Sequence, residues 1–254
     1  MSTPPSHALS HLKFMTMTDW DQWFTRWQSA FEQFAADAMS EADAGHDLYH
    51  VKRVVANSVR LGGVEGACPS IVMPAAWLHD CVVVRKDSPE RNRASRMAAQ
   101  RAGEFLGSID YPVQFREYVA HAIIAHSFTA AVCPTTVDAK VVQDADRLEA
   151  LGALGLARCL MTGGALGQRL FDPIEPFPFR RPADERQQSV DHFYTKLLKL
   201  PATMQTQSGR VEAQRRTQVL IRFLEDLAEE LGTAASELQQ SLSFLTTNCP
   251  QAHA

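Results

Sequence analysis

The chain has 254 residues, 45% of them hydrophobic, and a formal net charge of −4. That is enough apolar material for a substantial core, while the lack of basic excess argues against a nucleic-acid groove. Gly and Pro, at 13 each, exclude a fibrous or low-complexity chain.

The N-terminal "MSTPPSHALSHLKF" has no period, and residues 1–17 are expected to be a disordered tail ahead of one domain over 18–248. It also lacks a basic start followed by an apolar run, so no signal peptide is evident. Thr18-Asp19 are good N-caps, and Trp20, Trp23, Phe24, Trp27, Phe31 and Phe34 then recur at helical spacing as a core-facing stripe. A second helix is expected after "EADAGHD", through about Leu61, stopping at Gly62-Gly63. Ser70 to about Val83 reads as a short apolar helix buried on most sides. Pro89 to Leu106 reads as an amphipathic helix with Gly107 as its stop, and Tyr111 to Ala125 as another helix. A helical stretch over Asp138–Leu160 is interrupted near Gly152 and Gly155. "GGALGQRLFDPIEPFPFRRPADE" (163–185) is one long irregular segment, the kind that often serves as a lid. Residues 186–200, 210–231 and 234–246 complete an all-α reading of eight to ten helices, with no internal repeat and no clear linker.

Five scattered cysteines without a CxxC fit reduced thiols in a cytoplasmic protein. No stretch approaches the ~20 apolar residues that would span a membrane.

Chemistry concentrates in two His-Asp pairs, His46-Asp47 in "GHDLYHVKRVV" and His79-Asp80 in "AAWLHDCVVV". His46 and His50 share a helix face at a spacing of four. "HDLYH" resembles a HExxH zinc motif, but Asp replaces Glu and no third zinc ligand follows at a familiar spacing, which discounts a peptidase. His79-Asp80 ends an apolar segment, where a carboxylate is costly unless it is paired or holds a metal. Asp144 and Asp146, two apart on a helix, face nearly opposite ways, so only one of them should reach an ion. His121 and His126 both face a site only if their helix ends between them.

The order His … His-Asp … Asp, with the blocks "HD-x-x-H-x-x-RV" (46–54), "HS-F" (126–128), "QDADRL-A-GA-G-AR" (143–158) and "DHF-x-x-KL-x-L" (191–200), resembles the HD-domain superfamily of metal-dependent phosphohydrolases, in particular a branch of small bacterial HD hydrolases. The resemblance covers most of residues 40–230 and implies a single HD-domain helical bundle. It implies His50, His79, Asp80 and Asp146 as metal ligands, with Asp146 chosen for its place in "ADRL". Asp80 and His126 are then candidate catalytic groups, His126 as a general acid. Asp144 joins them as a carboxylate that would orient Arg147 or a ligand histidine. His46 would touch substrate, brace the site or cap its helix. Lys86, Arg91, His121, Arg147, His192, Lys196 and Arg216 are candidate substrate-binding residues, the cations as phosphate partners.

Two imidazoles and two carboxylates suit Mn, Fe(II), Ni, Co or Mg better than structural zinc. The expected reaction is attack of metal-activated water on phosphorus in a phosphorylated small molecule. A nucleotide is favoured as substrate, with release of pyrophosphate from nucleoside triphosphates as the model reaction. The alternative is a nucleotide sensor that retains the metal site. "HDCVVVRKD" lacks the acidic pair of (p)ppGpp-degrading branches, and no HHE or GYP block of cyclic-di-GMP phosphodiesterases occurs. A monomer or homodimer, with no nucleic-acid or membrane partner, is expected.

Overall fold

The computed structural model describes residues 17–39, 48–82, 84, 89–233 and 235–247. The expected tail lies outside the described residues except for Met17, and so do His46, Asp47 and Lys86. Among the described residues the chain forms ten α-helices and no strand, with one isolated bridge between Arg169 and Gln188. It groups into two compact units. The first comprises Met1–Asp146 with Gln205–Gly209, the second Arg147–Met204 with Arg210–Ala254.

The first unit is organised around α3 (Pro69–Leu78), whose residues are buried apart from Ser70. A helix apolar all round cannot face water anywhere. It is accordingly packed by α1 (Met17–Ala38), α2 (Leu48–Glu65), α4 (Ala94–Ser108) and α5 (Val113–His126). The aromatic stripe of α1 closes part of this core: Phe34 stacks on Phe105 with ring centroids 4.1 Å apart, and Trp27 lies 5.0 Å from Tyr111. The Tyr111 hydroxyl accepts from Trp23 Nε1 at 2.9 Å and donates to the Ser70 carbonyl at 2.8 Å, joining α1 to α3.

Several helix ends differ from expectation. α2 runs through Gly62-Gly63 to Glu65 and stops at Gly66, which is left-handed at φ 69°. Ala67 N–H returns to Gly62 O at 2.9 Å, so the stop is set by a capping motif rather than by glycine content. α4 is likewise not stopped by Gly107. Asp110 takes the left-handed position (φ 52°), with Tyr111 N–H bonded to Leu106 O at 2.9 Å. Asp tolerates that conformation through its short polar side chain. Pro89–Arg93 forms a separate 3-10 turn before α4. α3 ends at Leu78, leaving His79 and Asp80 in a turn. The interruption expected near Gly152 begins earlier, as α6 (Val137–Arg147) is followed by a 3-10 turn at Leu148–Ala150.

The second unit holds α7 (Gly152–Ala165), α8 (Asp191–Thr195), a 3-10 stretch Leu197–Thr203, most of α9 (Gln207–Glu230) and α10 (Ala235–Thr247). The expected helix over 186–200 is therefore two short pieces. The irregular segment between α7 and α8 is tied down from within. Arg181 forms a two-pronged pair with the fully buried Asp191 at 2.5 and 2.8 Å. Glu175 Oε1 collects the backbone N–H groups of Phe179, Arg180 and Arg181. A freely hinged lid is not what these bonds describe.

Gly63 lies inside α2, and a Cβ there would meet nothing within 4 Å. Gly63→Ala is expected to raise stability by about 0.5–1 kcal/mol, because alanine loses less backbone freedom in a helix. A denaturant melt showing a raised midpoint at unchanged m-value checks it.

Candidate metal centre

Four helix ends of the first unit bring the site together. His50 sits in the first turn of α2, on the buried face that continues through Val54, Ser58 and Leu61. His79 and Asp80 follow the last residue of α3. His126 is the last residue of α5, and Asp146 lies in the last turn of α6. The histidines are buried, at 3%, 0% and 7% exposure, while Asp80 and Asp146 are about a quarter open at 29% and 28%.

The distances are those of groups sharing a centre. Asp146 Oδ1 stands 3.4 Å from His50 Nε2 and 3.8 Å from His79 Nε2. Asp80 lies between two imidazoles, with Oδ2 3.6 Å from His79 Nε2 and Oδ1 3.5 Å from His126 Nε2. These separations are at the long, weak end of hydrogen bonding or beyond it. They are close to the roughly 3.0–3.4 Å between two donor atoms that each ligate one ion at about 2.1 Å. Donor atoms of His50, His79 and Asp146 all fall within 4.8 Å of one another, so these three could hold a metal ion.

Tautomers follow from the backbone. His79 Nδ1 lies 2.9 Å from Ala76 O, and His126 Nδ1 lies 2.5 Å from Ile123 O. A carbonyl oxygen only accepts, so each Nδ1 carries the proton and each neutral ring turns its Nε2 lone pair toward the carboxylates. His79 Nε2 is buried and makes no hydrogen bond. A lone pair facing a carboxylate is repulsive until a proton or a cation sits between them.

The titration tendencies agree with this. Burial pulls the pKa of His79 down, against the opposing charges of Asp80 and Asp146. Burial also acts to lower His126, but the bond and charge of Asp80 outweigh it and the pKa is raised. Burial would raise Asp146, yet the His50 hydrogen bond and the charges of His79, His126 and His50 hold it well below the usual carboxylate range.

Other expected site residues have different places. Asp144, expected near the reacting centre, is fully buried and serves the backbone instead. Its Oδ1 accepts from Gln205 N–H at 2.9 Å, and its Oδ2 accepts from Thr206 N–H at 2.8 Å and Thr206 Oγ1 at 2.7 Å. His121 Nε2 lies 3.1 Å from the Thr135 N–H, which donates to it, and 3.0 Å from Thr135 Oγ1, so His121 braces the loop after α5. Of Arg91 only the backbone is described, in the Pro89–Arg93 turn. The remaining four belong to the second unit. Arg147 Nη1 donates to Thr203 O at 2.6 Å. Arg216 donates to Glu212 and to Leu148 O, each at 2.8 Å. His192 Nδ1 lies 2.9 Å from Glu185 Oε2. Lys196 separates α8 from the Leu197–Thr203 stretch.

Three supporting residues carried no sequence signal as such. Gln143, inside the "QDADRL" block, donates to Ala125 O at 2.6 Å, beside His126. Arg101 on α4 donates to Cys81 O at 2.8 Å, just after the His79-Asp80 turn. Asp138 accepts Cys68 N–H at 2.7 Å, capping the far end of α3.

A family model described as HD domain matches residues 47–151. The chain is 31% identical to the Bacillus subtilis protein YpgQ over 197 residues, spanning 76% of this chain and 88% of YpgQ. Its fold is similar to that of an HD-superfamily hydrolase from Bacillus thuringiensis, with a TM-score of 0.64 and 30% identity over 81% of this chain and 97% of the other. It is similar also to B. subtilis YpgQ in complex with ADP, with a TM-score of 0.61 and 30% identity over 79% and 97% of the two chains.

Gly209 tests the Asp144 clasp, since a Cβ there would lie 2.3 Å from Asp144 Oδ2. The carboxylate is held by three donors and cannot swing aside. Gly209→Ala is expected to cost about 1–3 kcal/mol, read as a lowered thermal midpoint. The opposite sign from Gly63→Ala separates this clash from any general effect of adding a methyl group.

Proposed function

The chain belongs to the HD-domain family, and from that premise we propose that it is a metal-dependent phosphohydrolase acting on a nucleotide. The observation that carries this is the buried Nε2 of His79, with its proton fixed on the opposite nitrogen by Ala76 and two carboxylates within 4 Å. Such an arrangement is stabilised by a cation. His50, His79, Asp80 and Asp146 supply two nitrogen and two carboxylate donors, a set that fits Mn, Fe(II), Co, Ni or Mg. An ion bound there supplies Lewis acidity toward a phosphoryl oxygen and makes water a competent nucleophile near neutral pH.

The chain's own groups do the rest. The openings at Asp80 and Asp146 are where a phosphate can approach, because the three imidazoles are enclosed. Asp80 stands between His79 and His126, whose rings lie nearly perpendicular to each other at 85°. His126 keeps its Nδ1 proton on Ile123 O, so Nε2 is the atom that exchanges a proton. That nitrogen is the one placed to protonate a departing oxygen. The ADP complex of YpgQ supports a nucleotide as ligand. Among the described residues no helix is long and apolar enough to cross a membrane.

The test is a panel of nucleoside and deoxynucleoside triphosphates given to metal-stripped protein with Mn, Mg, Ni or Co added singly. Products are identified as phosphate, pyrophosphate or triphosphate. Metal-dependent turnover is expected, with Asp80→Ala reducing it at least about 100-fold while the thermal midpoint stays within a few degrees. Nucleotide binding without turnover under every metal would replace the hydrolase with a sensor.

A further inference from the structure

Among the described side chains only two aromatic rings are exposed, Tyr49 at 69% and Phe128 at 78%. The other described aromatic side chains are buried or half-buried. Both exposed rings lie next to the histidine cluster along the chain, in the first unit. Tyr49 immediately precedes His50, and Phe128 follows His126 by two residues, a backbone reach of at most about 7 Å. Exposed apolar residues scattered over a surface need no explanation. Among the described side chains, the exposed aromatic rings occur only beside cluster histidines in the chain, and that does.

The turn that carries Phe128 is well defined. α5 ends at His126, Ser127 is extended (φ −74°, ψ 126°), and Phe128–Ala130 form a 3-10 turn closed by left-handed Ala131 at φ 51°. Ala131 N–H bonds back to Phe128 O at 3.4 Å. The ring is thus presented outward on a fixed turn rather than on a loose loop.

We propose that Phe128, assisted by Tyr49, is the recognition platform for the base of a nucleoside phosphate. Phosphate groups take the partly open aspartates, and the planar base, which has no use for charge, takes an aromatic face. The assignment rests on the phosphohydrolase reading only for which end of the ligand meets Asp80 and Asp146. It makes these rings determinants of specificity, separating nucleotides from base-free polyphosphates.

Calorimetric titration of manganese-loaded protein with ADP and with pyrophosphate tests it, on wild type and on Phe128→Ala, Phe128→Leu and Phe128→Trp. A raised Kd for ADP of about tenfold is expected in the alanine variant, less in leucine, and none in tryptophan, with pyrophosphate affinity kept throughout. A leucine variant that binds ADP as wild type does would overturn the proposal, as would equal losses for ADP and pyrophosphate. So would wild type that prefers neither ligand, or a dimer lost in Phe128→Ala at unchanged ADP affinity, which would assign the ring to contacts between copies. The two readings fail separately: selective ADP loss without turnover sinks only the hydrolase, and turnover indifferent to Phe128 sinks only the platform.

Discussion

A helix without a polar face has to be enclosed, and α3 has none. Its burial by α1, α2, α4 and α5 is the constraint from which the site follows, because the chain leaves α3 directly into His79-Asp80. Both ends are pinned. Asp138 takes the Cys68 N–H at the start, and Arg101 takes the Cys81 carbonyl after the turn. A buried rod fixed at both ends delivers two polar side chains to the same spot with little freedom. That is the rigidity a ligand set needs.

Polarity is then concentrated where four helix ends meet. Burial alone would strip Asp146 of its charge and leave the imidazoles neutral. The proximity of carboxylates to nitrogens resists that, and the backbone carbonyls of Ala76 and Ile123 decide which nitrogen carries each proton. The backbone carbonyls thus fix the tautomers of His79 and His126, as second partners of metal-binding histidines commonly do.

The helical class, the aromatic stripe of α1 and the enclosed α3 are legible in the sequence as a period or an apolar run, whereas the grouping of His50, His79, Asp80 and Asp146 is what the family resemblance implies. What depends on distant partners is not legible there. Gly62-Gly63 looked like a stop, yet the helix continued to a residue that could turn left-handed. Asp144 and Asp146 are expected to face apart, and the partners of Asp144 lie about sixty positions downstream at Gln205 and Thr206. His121 and His126 could not be separated by spacing, since only the loop at Thr135 shows what claims His121. Arg147 and Arg216, both expected to bind substrate, are engaged by carbonyl and carboxylate groups of their own unit.

The clasp of Asp144 on Gln205 and Thr206 also bears on how the protein comes into being. The first unit ends at Asp146 and resumes at Gln205, so residues 147–204 must leave the ribosome before the clasp can close. Until then the carboxylate that will be fully buried lacks the three donors that stabilise it, and seating α6 in a dry interior is unfavourable. His50, His79 and Asp80 are made early, whereas Asp146 sits on a helix whose buried Asp144 meets its partners only once the intervening segment has been made.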